Sequence, residues 1–290
     1  MTALGVGLAR PGAPLSWRRW ARSPSALAGT ALVGLVVVVA VVSLAWTPYP
    51  PLAIGPSHSL EGPSWAHILG TDQYGRDVLS RLMAGSRTSL YAGVVPVLAA
   101  SAIGVPAGLL AAARGGIGDQ IVMRLSDVLY AFPALLAAIA LSAALGASTG
   151  TAMLAIGTAF VPVFVRVTRS NALVVLGSGY VLAARAYGRR PLQILRRHVL
   201  PNIATTVIAQ MSLLCSLAIL AEAGLDYLGL GTTPPTPSWG NMVQAAQDYL
   251  SQDPLLTVWP GLAIIVSVLG FTLLGDGIAE LRNTHLGRCA

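Results

Sequence analysis

The chain has 290 residues, of which 54% are hydrophobic and only 10% charged, and its mean hydropathy is +0.70. Soluble domains carry about a quarter charged residues, so this composition excludes an ordinary soluble enzyme and places the chain in the membrane class. The net charge of +7 rests on 18 arginines without a single lysine, and these lie mostly between apolar runs, which reads as membrane topology and gives no reason to expect a nucleic-acid partner.

Residues 1–25 form a basic tail with Arg10, Arg18, Arg19 and Arg22. Ala26–Trp46 is uncharged and would be about 31 Å long as a helix, the thickness of the hydrocarbon core. It is too long for a signal-peptide core and no small-x-small cleavage site follows, so it is expected to be a membrane anchor with its N-terminus in the cytoplasm. Residues 47–87 are polar and turn-rich, an outer loop. Five further uncharged runs follow: Thr88–Ala113, Val128–Leu145, Gly146–Val165, Ile203–Ala221 and Leu255–Leu274. Gly146, Ser148, Thr149 and Gly150 suggest a tight turn between the third and fourth spans. Six spans put both termini on one side.

Arginine distribution sets the orientation. The inner segments 1–25, 114–127, 166–202 and 275–290 hold most of the arginines, including Arg114, Arg124, Arg166, Arg169, Arg282 and Arg288. Only Arg76, Arg81 and Arg87 fall outside, and the outer loop 222–254 carries Glu222, Asp226, Asp248 and Asp253 with no base. Residues 88–280 are read as the core and 281–290 as a cytoplasmic tail. Gly93, Pro96, Gly104, Pro106, Gly108, Pro133 and Pro162 lie within spans, either for close helix packing or as bends of a gate.

No acid or base is placed deep in a span, which argues against an ion-coupled carrier. HExxH and Walker-type phosphate loops are both missing, so any driving energy has to come from a partner. Cys215 and Cys289 have no motif partners, and neither a disulfide framework nor a metal site is expected.

Three stretches stand out. In His67–Leu90, an amphipathic pattern after Gly75 suggests a helix along the outer interface, with Asp77 and Arg81 spaced to pair; it either orients the next span or docks an external partner. Tyr180–Asn202 holds Arg185, Arg189, Arg190, Arg196 and Arg197 without an acid. Gly188, Pro191 and Pro201 make a helix there stop and restart, leaving a short helix over about Arg185–Leu195. That loop is either a purely topological positive segment or a contact for a cytoplasmic protein. Glu222–Met242 joins an LGLG run to three prolines, and reads as a loop hugging the outer face, with Tyr227 and Trp239 as interface anchors.

Together the runs LGTDQYGRDVLSRLMAGSRTSL, AARAYG with RRHVLPN, and LGLGTTPPTPSWGNM resemble, in order and spacing, the permease subunits of binding-protein-dependent ABC importers of the dipeptide/oligopeptide group, C-type, over about residues 65–280. The resemblance implies an all-α membrane protein of the type I importer permease fold, six helices with both ends inside, in a bacterial inner membrane. It makes 180–202 the loop whose coupling helix enters a groove of the ATPase. Ala183, Ala184, Arg185, Gly188, Pro191, Leu192, His198, Leu200 and Pro201 match that loop, while Leu182 stands at its usual acidic position. It implies outer contacts to a binding protein at Asp72, Arg76, Asp77, Pro235, Trp239 and Asn241. The implied partners are a B-type permease, two ATP-binding domains or one fused ATPase protein, an extracytoplasmic peptide-binding protein and membrane lipid. ATP and Mg are used by the ATPases, and this chain itself is non-catalytic. Nickel chelates or glutathione are the alternative cargo. An ion-coupled carrier or a membrane scaffold remains the reading from a different class.

Overall fold

The computed structural model describes Trp20 and residues 23–283. The basic tail with Arg10, Arg18, Arg19 and Arg22, and the C-terminal Arg288 and Cys289, lie outside the described residues. Within them the structure is helical, with one isolated antiparallel bridge between Thr71 and Asp77 and no strand.

Helix α1 (Pro24–Ala45) is capped by the Ser23 hydroxyl, and its Leu35, Val38, Val41 and Leu44 are exposed, as a lipid-facing helix requires. Helix α2 (Val78–Arg114) is 37 residues long, about 55 Å, nearly twice the hydrocarbon thickness. The amphipathic stretch after Gly75 is therefore the first turns of α2 and not a separate interfacial helix. Nothing breaks the helix at that point, and Asp77 sits just before it as the cap. Pro96 and Pro106 also lie within the uninterrupted α2, and Pro162 within α5.

Pro133 does break the chain. Helix α3 (Gly116–Ala131) and helix α4 (Ala134–Leu145) meet at 79°, so the third span is not one straight helix over Val128–Leu145. At 12 residues, about 18 Å, α4 is too short to cross alone. Gly146, with φ +87, and the Ser148 cap then turn the chain tightly into α5 (Thr149–Leu176). Counting each helix that can cross alone gives five spans among the described residues, or six if the bent pair is one.

After α5 come α6 (Gly179–Ala186), α7 (Pro191–Ile194), a π-turn over Leu195–Val199, and α8 (Leu200–Tyr227). From Pro191 to Tyr227 the backbone runs on as a single 37-residue rod. Pro201 has no N–H to offer the ladder, and the π-turn lets Leu200 N–H reach back to the Leu195 carbonyl. The chain finishes with α9 (Trp239–Ala246) and α10 (Leu255–Asn283).

Helices α2, α5, α8 and α10 make the middle of the bundle, and α1 lies at its edge against α10 and α2. Small residues set the closest approaches. A Cβ on Gly104 would stand 2.7 Å from the Val161 carbonyl oxygen, and one on Gly108 would stand 2.6 Å from that of Val165, so α2 and α5 pack backbone to backbone. Gly29 does the same for α1 against Leu274 of α10. At one end of this pair, the hydroxyls of Ser23 and Ser25 donate to Glu280 at 2.9 and 3.0 Å. The start of α1 and the end of α10 thus share one end of the bundle.

Candidate functional site

Two ends of the bundle carry organised polar structure. At one end, the α6–α7 loop has a buried side and a bare side. Val181, Ile194, Leu195 and Val199 are buried in the main core. The Asn202 amide donates to the Tyr180 hydroxyl (2.9 Å) and to the His198 carbonyl (2.6 Å), tying the first turn of α6 to the start of α8. Of the residues matched to the coupling loop, His198, half-buried against Tyr180, belongs to this brace.

The bare side consists of Leu182, Ala183, Arg185, Tyr187, Gly188, Arg189, Arg190, Pro191 and Leu192. Tyr187 is 89% and Leu192 62% exposed, far more than packed apolar side chains. No single helix covers Arg185–Leu195. α6 ends at Ala186, Gly188 turns the chain at φ +74, and Pro191 starts α7. The Gly188 and Arg189 N–H groups close the C-terminus of α6 on the carbonyls of Arg185 and Ala184. The left-handed residue between two short helices is what the sequence's Gly188 supplies. Ala184 is half-buried, and Leu200 and Pro201, in the first turn of α8, are exposed.

Near this end α3 is clamped to α5. Arg169 makes a two-pronged pair with Asp119, both bonds 2.5 Å, and Arg166 reaches Asp127 at 2.8 Å while lying over the Tyr130 ring. Two of the arginines counted toward topology are thus structural as well.

At the opposite end, residues 46–77 and 228–254 build a cap over α2. Asp72 accepts N–H bonds from Tyr74 and Arg76 and pairs with Arg76 Nε at 2.7 Å and Arg81 Nε at 3.4 Å. Asp77 does not pair with Arg81. Its carboxylate caps α2 by accepting from the Ser80 N–H and hydroxyl, and it accepts from the His67 ring at 2.9 Å. Such a cap satisfies donors that the first turn leaves open, and it outcompetes an i, i+4 pair.

Trp239 is no interface anchor. It is 2% exposed, its indole N–H donates to the Leu82 carbonyl, and its backbone N–H to the Ser89 hydroxyl. Asn241 completes a capping box with Ser238 and is buried too. Of the six outer residues implied by the resemblance, Asp72, Asp77, Trp239 and Asn241 are buried, Arg76 is half-buried, and Pro235 is exposed. Tyr227 is exposed and donates its hydroxyl to Gln247.

Reasoning from sequence placed Glu222 and Asp226 in an outer loop. Helix α8 instead continues through Tyr227 and carries both into the interior, at 1% exposure each. Asp226 accepts from the Ser238 hydroxyl and the Thr232 N–H, latching the end of α8 to the loop before α9. Gly231 and Gly240 press on Asp226, where a Cβ would collide with its side chain. An acid pair one helical turn apart, just after an apolar run and before LGLG, was the available signal.

Residues 104–286 match the family model described as binding-protein-dependent transport system inner membrane component. The chain belongs to this family. Among its relatives is the glutathione transport system permease protein GsiD of Pectobacterium atrosepticum, 39% identical over 271 residues, 93% of this chain and 90% of that one. The GsiD protein of Escherichia coli O6:K15:H31 is 38% identical over 91% of this chain and 88% of its own length. A solved structure titled as an inward-facing conformation of the MetNI methionine ABC transporter superposes with a TM-score of 0.58, covering 69% of this chain and 95% of that one; at 17% identity it speaks for the fold. The chain is a multi-pass inner-membrane permease subunit of an ABC importer, with the type I permease fold. Such a permease works with a partner permease, an ATPase and a substrate-binding protein.

Proposed function

We propose that this chain forms half of a translocation pore for small peptides and that the α6–α7 loop is where a cytoplasmic ATPase pushes on it. The observation carrying this reading is the two-sided build of the loop. Its inner face is fixed to the core by Val181, Ile194 and Val199, while Tyr187, Leu192 and the arginines beside them stand uncovered. An exposed apolar patch rimmed by polar groups is what a protein partner covers. The contact is assigned to Ala183, Ala184, Arg185, Gly188, Pro191, Leu192, Leu200 and Pro201, with His198 bracing it from behind.

The orientation follows. With the loop in the cytoplasm, both termini are cytoplasmic and the α3–α4 pair counts as one crossing, giving six. The shared end of α1 and α10 supports an even number of crossings. The cap then faces outward, and the exposed Pro235 and the half-buried Arg76 are offered to the binding protein. A B-type sister permease completes the pore. ATP and magnesium act on the ATPase subunits, separate or fused, and this chain carries no catalytic residue. A loaded binding protein docks, ATP closes the ATPases, and the loop passes that motion to α8 so that the pore faces outward and then inward.

Glutathione is the specific second reading for the cargo, favoured by the GsiD relatives, and it is itself a tripeptide. Proteoliposomes containing the whole transporter decide both points. Uptake driven by ATP and binding protein, and lost in Leu192→Asp with all subunits still assembled, is expected. Uptake driven by an ion gradient without ATPase would overturn the mechanism. Competition of labelled glutathione by unlabelled dipeptides separates the cargoes.

A further inference from the structure

Between the upper half of α1 and the upper part of α2 lies a groove of about 610 Å³. Its walls are Val37, Val41 and Leu44 from α1 and Leu90 and Tyr91 from α2, and Arg87 stands in it. Arg87 is half-buried, and its side chain makes no hydrogen bond, ion pair or ring contact with any described residue. The other arginines of the cap behave differently, since Arg76 and Arg81 are both paired to Asp72. Arg87 lies nine residues into α2, about 14 Å below its start and directly before the uncharged run Thr88–Ala113, so it stands at the membrane boundary of that span. The hydroxyl-bearing Thr88 and Thr149 line the same groove.

A cation in this position needs an anion, because an unpaired charge facing lipid is expensive. The wall beside it needs an apolar chain. α1 is the edge helix of the bundle and its Val38, Val41 and Leu44 are open to the bilayer, so the groove is reached from the membrane. One molecule meets both demands. We propose that the α1–α2 groove binds an anionic phospholipid of the leaflet nearer the cap, its phosphate on Arg87 and one acyl chain along Val37, Val41 and Leu44. The charge and the apolar wall complement the two halves of that ligand. The bound lipid would add to the contacts that α1 already makes with α2. The inference rests on the membrane location and not on the identity of the cargo.

The assembled transporter, purified in detergent and examined by native mass spectrometry, tests this with phosphatidylglycerol and phosphatidylcholine as probes. Wild type is expected to keep one phosphatidylglycerol per copy of this chain, with roughly tenfold preference over phosphatidylcholine, the scale of one charge-assisted contact. Arg87→Gln loses that preference and Arg87→Lys keeps part of it. Val41→Trp, which fills the apolar half, lowers retention of both lipids. Should Arg87→Gln fail to assemble, Arg87→Lys and Val41→Trp decide on their own. Equal phosphatidylglycerol retention by wild type and Arg87→Gln would sink the proposal. So would displacement of the lipid by inorganic phosphate or a soluble peptide, which marks a site for soluble anions. A Val41→Cys cross-link to the sister permease in lipid-free complexes overturns it too, since a protein would then cover the groove.

Discussion

The indole N–H of Trp239 donates to the main-chain carbonyl of Leu82 at 3.1 Å, joining residues 157 positions apart in the chain. The bond pins the loop between α8 and α10 to the top of α2, and Trp239 is the central peg of the cap. Its replacement is therefore a test of cap integrity. Trp239→Phe loses the hydrogen bond and should cost about 1 kcal/mol, while Trp239→Ala also opens a cavity and should cost about 3–5 kcal/mol. Thermal unfolding of the purified transporter checks both, and equal effects would mean the hydrogen bond alone matters.

Gly188 adopts φ +74 with open space around it, so a side chain there meets backbone strain and no collision. Gly188→Val should reshape the α6–α7 turn at a cost of about 1–3 kcal/mol, whereas Gly188→Asn tolerates the left-handed region. The expected result is ATP-driven uptake cut by roughly tenfold or more in the valine variant, with membrane insertion intact, and near-normal uptake in the asparagine variant. Normal uptake by Gly188→Val would remove the loop from the coupling mechanism.

The Arg169–Asp119 clamp between α3 and α5 is partly exposed on both sides. A double-mutant cycle with Arg169→Ala and Asp119→Ala should give a coupling of about 1 kcal/mol, measured by thermal unfolding. A coupling near zero would reduce the pair to incidental surface contact.

Orientation is read by labelling. Tyr187→Cys should react with an impermeant maleimide only from the cytoplasmic side, and Pro235→Cys only from the outside; both positions are exposed. Cys215 is buried and leaves the background low, and Cys289 is replaced by serine beforehand. Reaction of both from one face would contradict the proposed topology.

The membrane class, the helical build and the family were legible in composition and in three motifs, because hydropathy and Gly/Pro positions act locally. What escaped the sequence was set by contacts between distant segments. Asp77 and Arg81 have the spacing of an ion pair, yet Asp77 is held by Ser80 and His67, and Arg81 turns to Asp72. Glu222 and Asp226 look like loop acids until Ser238 and Thr232 fold back on the end of α8. Trp239 has the composition of a membrane anchor, and only the cap that surrounds it makes it a core residue. Pro133 and Pro162 are equally breakers by type, but Pro162 is absorbed within α5, whereas α3 and α4 turn at Pro133.

The rod from Pro191 to Tyr227 has one end on the exposed loop and the other at Asp226 beneath the cap. At 37 residues it is about 55 Å long. Under the proposed mechanism it would act as a lever: pivoted at its middle, a tilt of about 5° swings each tip by roughly 2.5 Å, in opposite directions. A displacement of that size exceeds what the hydrogen bonds at Asp226 can stretch to accommodate. A small angular stroke at the loop would thus be enough to unfasten a latch on the far side of the bilayer, without any bending of the arm between them.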